Sequence, residues 1–311
     1  MSGLRPQSTL DPAAGSAASA IDELGLVLYV GAALILAVVS LLVLCGVIAS
    51  PRNVNARRWL LVGGLLLPGI ALVALFVHAF VVGNALVQDS GGGALRVHVT
   101  GKQWWWEVRY EAAAGLPEAV LANELHVPVG RPVEITLESS DVIHSFWVPP
   151  LAGKVDMIPG RRTQIVVRSD QPGVFRGQCA EYCGAQHALM AFHVIVEDAG
   201  RFEAWRARQS RPADIAGSPE ARLGRALFLR GGCAGCHAIR GTAAVGTLGP
   251  DLTHVGSRRS LAAGTLGNHA GTMAGWIAGP QAIKPGSLMP DTAAFTGAEL
   301  RALSAWLASL E

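Results

Sequence analysis

Charge is scarce in this chain. Asp, Glu, Lys and Arg make up 15% of its 311 residues, and the net charge is +2. No long basic run is present, so the electrostatic footprint of a nucleic-acid binder is missing. Internal repeats are absent as well, which excludes a solenoid or an array of modules. Low complexity is confined to the N-terminal tail. Cysteine is rare, at five residues, and four of them fall into two short motifs. The fifth, Cys45, lies in an apolar stretch and reads as a small buried apolar residue.

The deficit of charge is concentrated near the N-terminus. Residues 24–50 carry no charge, and residues 59–88 are broken only by His78. Each run exceeds the roughly 20 apolar residues that cross a bilayer as a helix. Both are too long for the apolar core of a signal peptide, and no basic start with a small-residue cleavage site stands out. Residues 1–23 read as a flexible tail. The link between the runs, residues 51–58, holds Arg52, Arg57 and Arg58 and no acid. Short basic loops stay on the cytoplasmic side. Both chain ends are therefore expected outside the cytoplasm, and everything beyond about residue 89 forms one extracytoplasmic part.

After Gly91-Gly92-Gly93 the pattern changes to short alternating, β-branched segments: 95–100, 104–110, 125–129, 133–138, 163–168 and 191–196. Pro and Gly punctuate them, which predicts an antiparallel β-sandwich. Residues 199–209 look helical. Residues 210–218 are polar, with Pro and Gly, and read as a linker. Beyond them residues 219–230 form a helical stretch, and Thr296-x-x-Glu299 makes a capping box before Leu300, Leu303, Trp306, Leu307 and Leu310. The expected organisation is a tail at 1–23, a two-helix transmembrane hairpin at 24–90, the sandwich at 91–209, a linker at 210–218 and an all-α domain at 219–311.

Two motifs carry chemistry. The first is Cys179-x3-Cys183-x3-His187-x2-Met190; the second is Cys233-Ala234-Gly235-Cys236-His237. In an exported domain paired cysteines ordinarily form a disulfide, and Cys179 and Cys183 could oxidise without metal. The His and Met at this spacing favour metal ligation. Soft sulfur beside imidazole selects copper and suits electron transfer. Gly177 and Gly184 place the first motif on a loop between two strands, and a further ligand is needed from elsewhere. His144, in Asp141-Val-Ile-His-Ser-Phe-Trp-Val-Pro149, is the candidate. Two cysteines and two histidines could instead hold zinc, but Met190 would then have no role. A mononuclear blue-copper site needs one cysteine, which leaves the second surplus; two thiolates bridging two coppers use every ligand.

The second motif is the attachment signature of a c-type haem. Cys233 and Cys236 would bind the haem covalently and His237 would be the proximal ligand. Met289, in Pro285-Gly-Ser-Leu-Met-Pro290, is the candidate sixth ligand, with Met273, His254 and His269 as rivals. A surface role suits both histidines better. Trp276 and Arg258 are candidates to line the haem or its propionates.

Gln178-Cys-Ala-Glu-Tyr-Cys-Gly-Ala-Gln-His-Ala-Leu-Met190, the HSFWVP segment and Gly101-Lys-Gln-Trp-Trp-Trp-Glu107 closely resemble cytochrome c oxidase subunit II over residues from about 24 to 205. The appended haem motif makes the chain similar to the caa-type variety, in which a cytochrome c is fused to subunit II. The resemblance implies a multidomain membrane protein: a transmembrane hairpin, a cupredoxin-like sandwich and a class I cytochrome c. It implies a dinuclear copper centre, CuA, bridged by Cys179 and Cys183. His144 and His187 would each bind one copper, Met190 would be a weak ligand, and Glu181 would give its backbone carbonyl. The Glu181 side chain resembles a residue that reaches magnesium at the border with subunit I, and Asp156 an acid near the same border. Trp104 resembles an exposed ring at which electrons enter. The family often has a glutamate after the second span; this chain has Gln88-Asp89, and Asp89 could substitute.

What the resemblance implies is an electron relay in a bacterial inner membrane, taking electrons from cytochrome c or an upstream respiratory complex. They would pass through covalent haem c and CuA to subunit I, with subunit III alongside, for reduction of oxygen to water. Rival readings are a nitric oxide reductase with a similar copper subunit, a membrane-anchored copper-delivery protein, which CxxCH argues against, and a zinc-stabilised module.

Overall fold

The structure is a computed structural model that describes residues 11–48, 55–86, 93–113, 115–215, 217–292 and 295–311. It divides into two units, one of residues Ala17–Asp89 and one of residues Met1–Ser16 with Ser90–Glu311.

The smaller unit holds two long apolar helices. The first, α1, is Ser16–Ile48; the second runs from α2, Ala56–Trp59, through a π-helical stretch, Leu60–Leu66, into α3, Leu67–Leu86. Pro68 has no N–H to offer the carbonyl four residues back, which loosens the ladder at that point. Both helices are long and apolar enough to cross a membrane, and none of their most apolar stretch is buried. Helix α1 begins at Ser16, inside the segment expected as a tail, and Cys45 is exposed along it rather than buried. Ala14 and Gly15 are also ordered: both donate to the Pro150 carbonyl, at 2.7 and 3.0 Å. Arg52 and the Gln88-Asp89 pair lie outside the described residues.

The larger unit opens with a β-sandwich of two five-stranded sheets. One has the order β3-β2-β1-β5-β8 and the other β4-β10-β9-β6-β7. The strands are β1 Leu95–Lys102, β2 Trp105–Tyr110, β3 Ala119–Ala122, β4 Glu124–Pro128, β5 Val133–Ser139, β6 His144–Trp147, β7 Val155–Met157, β8 Thr163–Val167, β9 Gly173–Cys179 and β10 Ala191–Glu197. Alternation is clean on β1 and β2, where every second residue is buried. Strands β3, β6, β7 and β9 escape the sequence pattern because they are short or lack β-branched alternation. The sandwich is not wholly antiparallel: β1 runs parallel to β5, and β10 to β4. Each parallel pair joins strands that are distant in sequence, as the crossing connections of a Greek key require.

The core between the sheets is aromatic. Trp106 meets Phe146 edge-on at 6.0 Å and Phe192 at 5.0 Å, and Phe146 lies 4.8 Å from Phe192. Gly177 makes room for this cluster: a Cβ there would stand 2.1 Å from the Phe192 ring.

The remainder is helical. Helix α4, Ala199–Gln209, packs on the sandwich, with Trp205 stacked on His126 at 3.9 Å. Then follow α5 Pro219–Arg230, α6 Ala270–Ala278, α7 Pro280–Ile283 and α8 Gly297–Ala308. Helices α5 and α8 touch closely because Gly224 carries no side chain; a Cβ would sit 2.2 Å from the Ala302 carbonyl. Phe228, Leu303, Trp306, Leu307, Met273 and Ile277 fill the core. The capping box of Thr296 and Glu299 is formed. A two-stranded hairpin, β11 Ser260–Leu261 and β12 Leu266–Gly267, and an antiparallel bridge between Ala238 and Val245 depart from all-α.

Candidate metal centres

Register brings the first motif together. Strand β6 pairs antiparallel with β9, setting Phe146 opposite Cys179. His144, at the start of β6, therefore lies at the same end of the sheet as Cys179, at the end of β9. The loop 180–190 then crosses to β10, and Cys179 closes it by donating its N–H to the Met190 carbonyl at 3.0 Å. Gly184, at φ +111°, takes the turn of that loop.

The donors converge. Cys179 Sγ lies 3.7 Å from Cys183 Sγ, 3.9 Å from His144 Nδ1 and 3.1 Å from the Glu181 carbonyl oxygen. Cys183 Sγ lies 3.6 Å from His187 Nδ1 and 3.8 Å from Met190 Sδ. His144, Cys179 and Cys183 are buried, with donor atoms all within 4.8 Å of one another. A disulfide needs an S–S distance of about 2.05 Å, so the sulfurs stand as separate ligands. Both could touch a metal at roughly 2.3 Å. Two thiols, two imidazoles, a thioether and a carbonyl are a soft set that fits copper.

The electrostatics suit ligation. The Cys183 neighbour holds the Cys179 thiol below the ordinary range, and Cys179, with burial, pushes the Cys183 thiol up. A cation would displace the protons of the pair. Burial alone would lower His144, but Cys179 and Asp141 outweigh it and raise the ring. Asp141 is a residue whose role sequence reasoning missed. Its Oδ1 accepts from His144 Nε2 at 2.8 Å, and its Oδ2 accepts from the Gln103 N–H at 2.7 Å. That carboxylate fixes the tautomer and leaves Nδ1 facing the sulfurs. The available signal was an acid three residues before the histidine.

Glu181 splits its functions. Its carbonyl faces Cys179, while its carboxylate pairs with Lys154 at 3.2 Å; Lys154 also reaches Asp156 at 3.4 Å. The cation facing these acids is a lysine of the same chain. Glu181 offers one carboxylate here, which is fewer oxygen ligands than magnesium takes.

Trp104 is buried, at 9% exposure. Its Nε1 donates to the Cys183 carbonyl at 2.9 Å, and its far edge faces Gly286. The Trp104 carbonyl accepts from Lys284 at 2.7 Å. Lys284 and Gly286 belong to the segment that leads to Met289. Trp106 is buried in the core and Trp105 half-buried, with Lys102 over its ring at 4.9 Å.

In the helical part the residues Cys233–Gly235 form a 3-10 turn. His237 Nδ1 lies 2.8 Å from the Pro250 carbonyl, which can only accept. That fixes the proton on Nδ1 and leaves Nε2 as the ligand atom. Burial lowers the His237 ring, keeping it neutral as iron ligation needs. Gly249 packs flat on this imidazole; a Cβ there would stand 2.6 Å from its Cε1. Exposed Val245, Leu248 and Leu288 flank the motif and Met289 in sequence, an apolar surface of the kind a haem would cover. Met273 is 3% exposed and committed to the core, whereas Met289 is only partly buried at the core's edge. His254 is not at the surface. It is buried, with Nδ1 2.9 Å from the Glu311 carbonyl and Nε2 3.1 Å from the Arg211 carbonyl, so neither nitrogen is left for iron. His269 caps α6. Arg258 donates to the Asp251 carbonyl, and Trp276 is half-buried.

A soft-ligand cluster on a β-sandwich, a CxxCH turn on a helical domain and two apolar helices define a class: a membrane-anchored electron-transfer subunit. Comparison with known proteins narrows this. Residues 112–198 match the family described as the periplasmic domain of cytochrome c oxidase subunit II, and residues 221–311 match cytochrome c. The chain is 35% identical to cytochrome c oxidase subunit 2 of Alkalihalophilus pseudofirmus, over 84% of this chain and 76% of that protein. It is 34% identical to the protein of the same name from a Bacillus species, strain PS3, over 69% of this chain and 62% of the relative. With that of Bacillus subtilis it shares 30% identity over 78% of this chain and 71% of the relative. The chain belongs to the cytochrome c oxidase subunit II family and carries a C-terminal cytochrome c domain. It is a component of a haem–copper oxidase, an oxidoreductase, and its two families imply copper and haem. Trp104 lies outside both matched stretches.

Proposed function

We propose that this chain is the electron-entry subunit of a respiratory terminal oxidase, passing electrons from a covalently held haem c to a dinuclear copper centre and on to subunit I. The observation that carries the reading is the convergence of Cys179, Cys183, His144, His187, Met190 and the Glu181 carbonyl at one end of the sandwich. A copper pair held by both thiolates would share one electron between the metals, so little rearrangement would accompany its transfer.

The chain's own residues have distinct tasks. Cys179, Cys183, His144, His187, Met190 and the Glu181 carbonyl would hold the copper, which would supply one-electron transfer. Asp141 orients His144. Cys233 and Cys236 would anchor the haem, and His237, oriented by the Pro250 carbonyl, and Met289 would be its ligands. A thioether with an imidazole would raise the haem potential, as a donor near the end of a respiratory chain requires. Trp104 joins the two redox regions through its hydrogen bond to Cys183.

The natural donor is cytochrome c or an upstream complex, and reduction of oxygen to water takes place in subunit I, with subunit III as a further partner. Lipid surrounds α1, α2 and α3 in a bacterial inner membrane, with both redox domains on the outer side. The working boundaries are a hairpin to residue 90, a copper domain at 91–209 and a cytochrome domain from 219. Magnesium at Glu181 requires oxygen ligands from subunit I beyond those of this chain.

The test is metal analysis with optical and electron paramagnetic resonance spectra of the purified chain. Hyperfine structure from two equivalent coppers beside a low-spin c-type haem supports the relay. A mononuclear copper pattern, with full metal loading, sinks the bridged centre.

A further inference from the structure

The copper donors come from two loops, and one residue outside both ties them together. Gln103 lies in the turn between β1 and β2, in the sheet that carries none of the six donors. It makes two bonds in different directions. Its main-chain N–H donates to Asp141 Oδ2 at 2.7 Å, and its side-chain Nε2 donates to the Cys183 carbonyl at 2.8 Å. Asp141 passes the first bond on, because its other oxygen holds His144 Nε2 at 2.8 Å. Gln103 thus fixes His144 through Asp141 and Cys183 through that residue's own carbonyl.

The Cys183 side needs such a hold. Ala180 N–H donates to the Ser145 carbonyl of β6 at 3.0 Å. Beyond it the loop bonds within itself: His187 N–H to Gly184, Leu189 N–H to Gln186 and Met190 N–H to His187. Cys183, in the middle, is held from outside by Gln103 and by Trp104 Nε1 at 2.9 Å. Of these two, Gln103 is the one that also reaches Asp141. The fit around its amide is close. A Cβ on Gly184 would stand 3.0 Å from Gln103 Nε2 and 3.1 Å from Trp104 Cζ2, so glycine lets the peptide turn its carbonyl to both donors. A carbonyl can only accept, so the amide presents its NH2 end, and an ionised carboxylate of the same shape could not replace it.

We infer that Gln103 is a positioning residue of the copper centre, a clasp that sets the His144 side against the Cys183 side and keeps the two halves of the centre alike. Groups behind the ligands fix where the ligands point. Two metals share an electron evenly when their ligand sets match, and the match here depends on where two loops meet. This rests on the copper reading above, while the clasp itself belongs to the chain with or without metal.

The experiment compares Gln103→Leu, which has no donor, with Gln103→Asn, which keeps the amide but holds it one methylene short of Cys183. Both leave the main-chain bond to Asp141 in place. Gln186→Leu is the control, because it removes a different tie on the same loop, the bond from Gln186 Nε2 to the Pro285 carbonyl at 2.7 Å. The full chain in detergent is read twice. Without copper, deuterium exchange at the amides of His187, Leu189 and Met190 should quicken about two- to tenfold in both Gln103 variants, the factor that one neutral hydrogen bond is worth. Exchange in β10 and α8 should stay native. With copper, both variants should still hold two coppers, but paramagnetic resonance should show an unequal pair in place of two equivalent coppers. Gln186→Leu should keep the native spectrum. A native spectrum in both Gln103 variants would overturn the inference even with faster exchange, since Gln103 would then merely fasten a loop. So would the same spectral change in Gln186→Leu, which would make any loosening of the loop sufficient. A native chain without a copper pair would defeat the relay reading. That failure is told apart by the copper-free chain, where unchanged exchange in both Gln103 variants would overturn the clasp whatever metal binds.

Discussion

Gly101→Ala tests the copper site without touching a ligand. Gly101 lies on β1, paired with Trp106 on β2 and Ser139 on β5. An added Cβ would stand 2.8 Å from Cδ2, 3.0 Å from Cγ and 3.3 Å from Cβ of His144. Ordinary carbon contacts lie at about 3.5–4.0 Å, so the ring must move by about 0.7 Å or more. It has nowhere easy to go. His144 is fully buried, Asp141 holds its Nε2 at 2.8 Å, and Trp106 stands 6.2 Å from its centroid on another side. Overpacking of this kind costs about 1–3 kcal/mol. Glycine-to-alanine in a strand would otherwise stabilise slightly, by less chain entropy lost on folding. The net expectation is a fall in melting temperature and, more tellingly, a changed copper spectrum with all six donors still present. The assay is copper stoichiometry and paramagnetic resonance after reconstitution, beside thermal unfolding of the metal-free chain. If Gly101→Ala takes up copper with the native spectrum and melts no lower, His144 is not held where the structure places it, and its role as ligand falls with it.

Met289→Leu should abolish the native low-spin haem spectrum and lower the haem potential. Met273→Leu should leave both unchanged and cost under about 1.5 kcal/mol, as volume-conserving core exchanges do; the reverse result would move the sixth ligand to Met273. Trp104→Phe keeps a ring against Gly286 but loses the bond to the Cys183 carbonyl, which Gln103 also serves at 2.8 Å. Unfolding should change by no more than about 1.5 kcal/mol, while haem-to-copper transfer slows; an unchanged transfer rate would remove Trp104 from the route. His126 sits between Glu124 and Glu197, which raise it against burial, and it holds Glu197 below its ordinary value. The His126 contribution is complete below its ordinary pKa of 6.5 and is lost as pH rises through the raised folded value. The Glu197 contribution is complete above 4.5 and lost as pH falls. Stability of this face should therefore peak between those limits, and His126→Gln should remove the alkaline loss in thermal melts across pH. An unchanged alkaline limb would refute the linkage.

Local patterns carried much of this molecule in its sequence. The two apolar runs, the CxxCH turn, the capping box at Thr296 and the copper loop depend on neighbours within a few residues, so spacing reports them. Residues whose environment is made by distant segments were silent. His254 looks like a surface imidazole until the Glu311 and Arg211 carbonyls close on it. Strand β6 is four residues with no alternation of burial, yet its register with β9 places His144. The parallel pairs were hidden for the same reason: a strand's direction relative to a remote partner leaves no periodic trace.

Lys284 shows why this limit falls on function as well as fold. A lysine between Ile283 and Pro285 reads as a solvated loop residue, because burying an ammonium without an acid is costly. Only the docking of two domains supplies three carbonyls at one point, and two of the three come from Trp104 and Leu189, 180 and 95 residues away in the chain. Trp104 is covered in the same way by a remote segment: it is buried, with Gly286 against its ring.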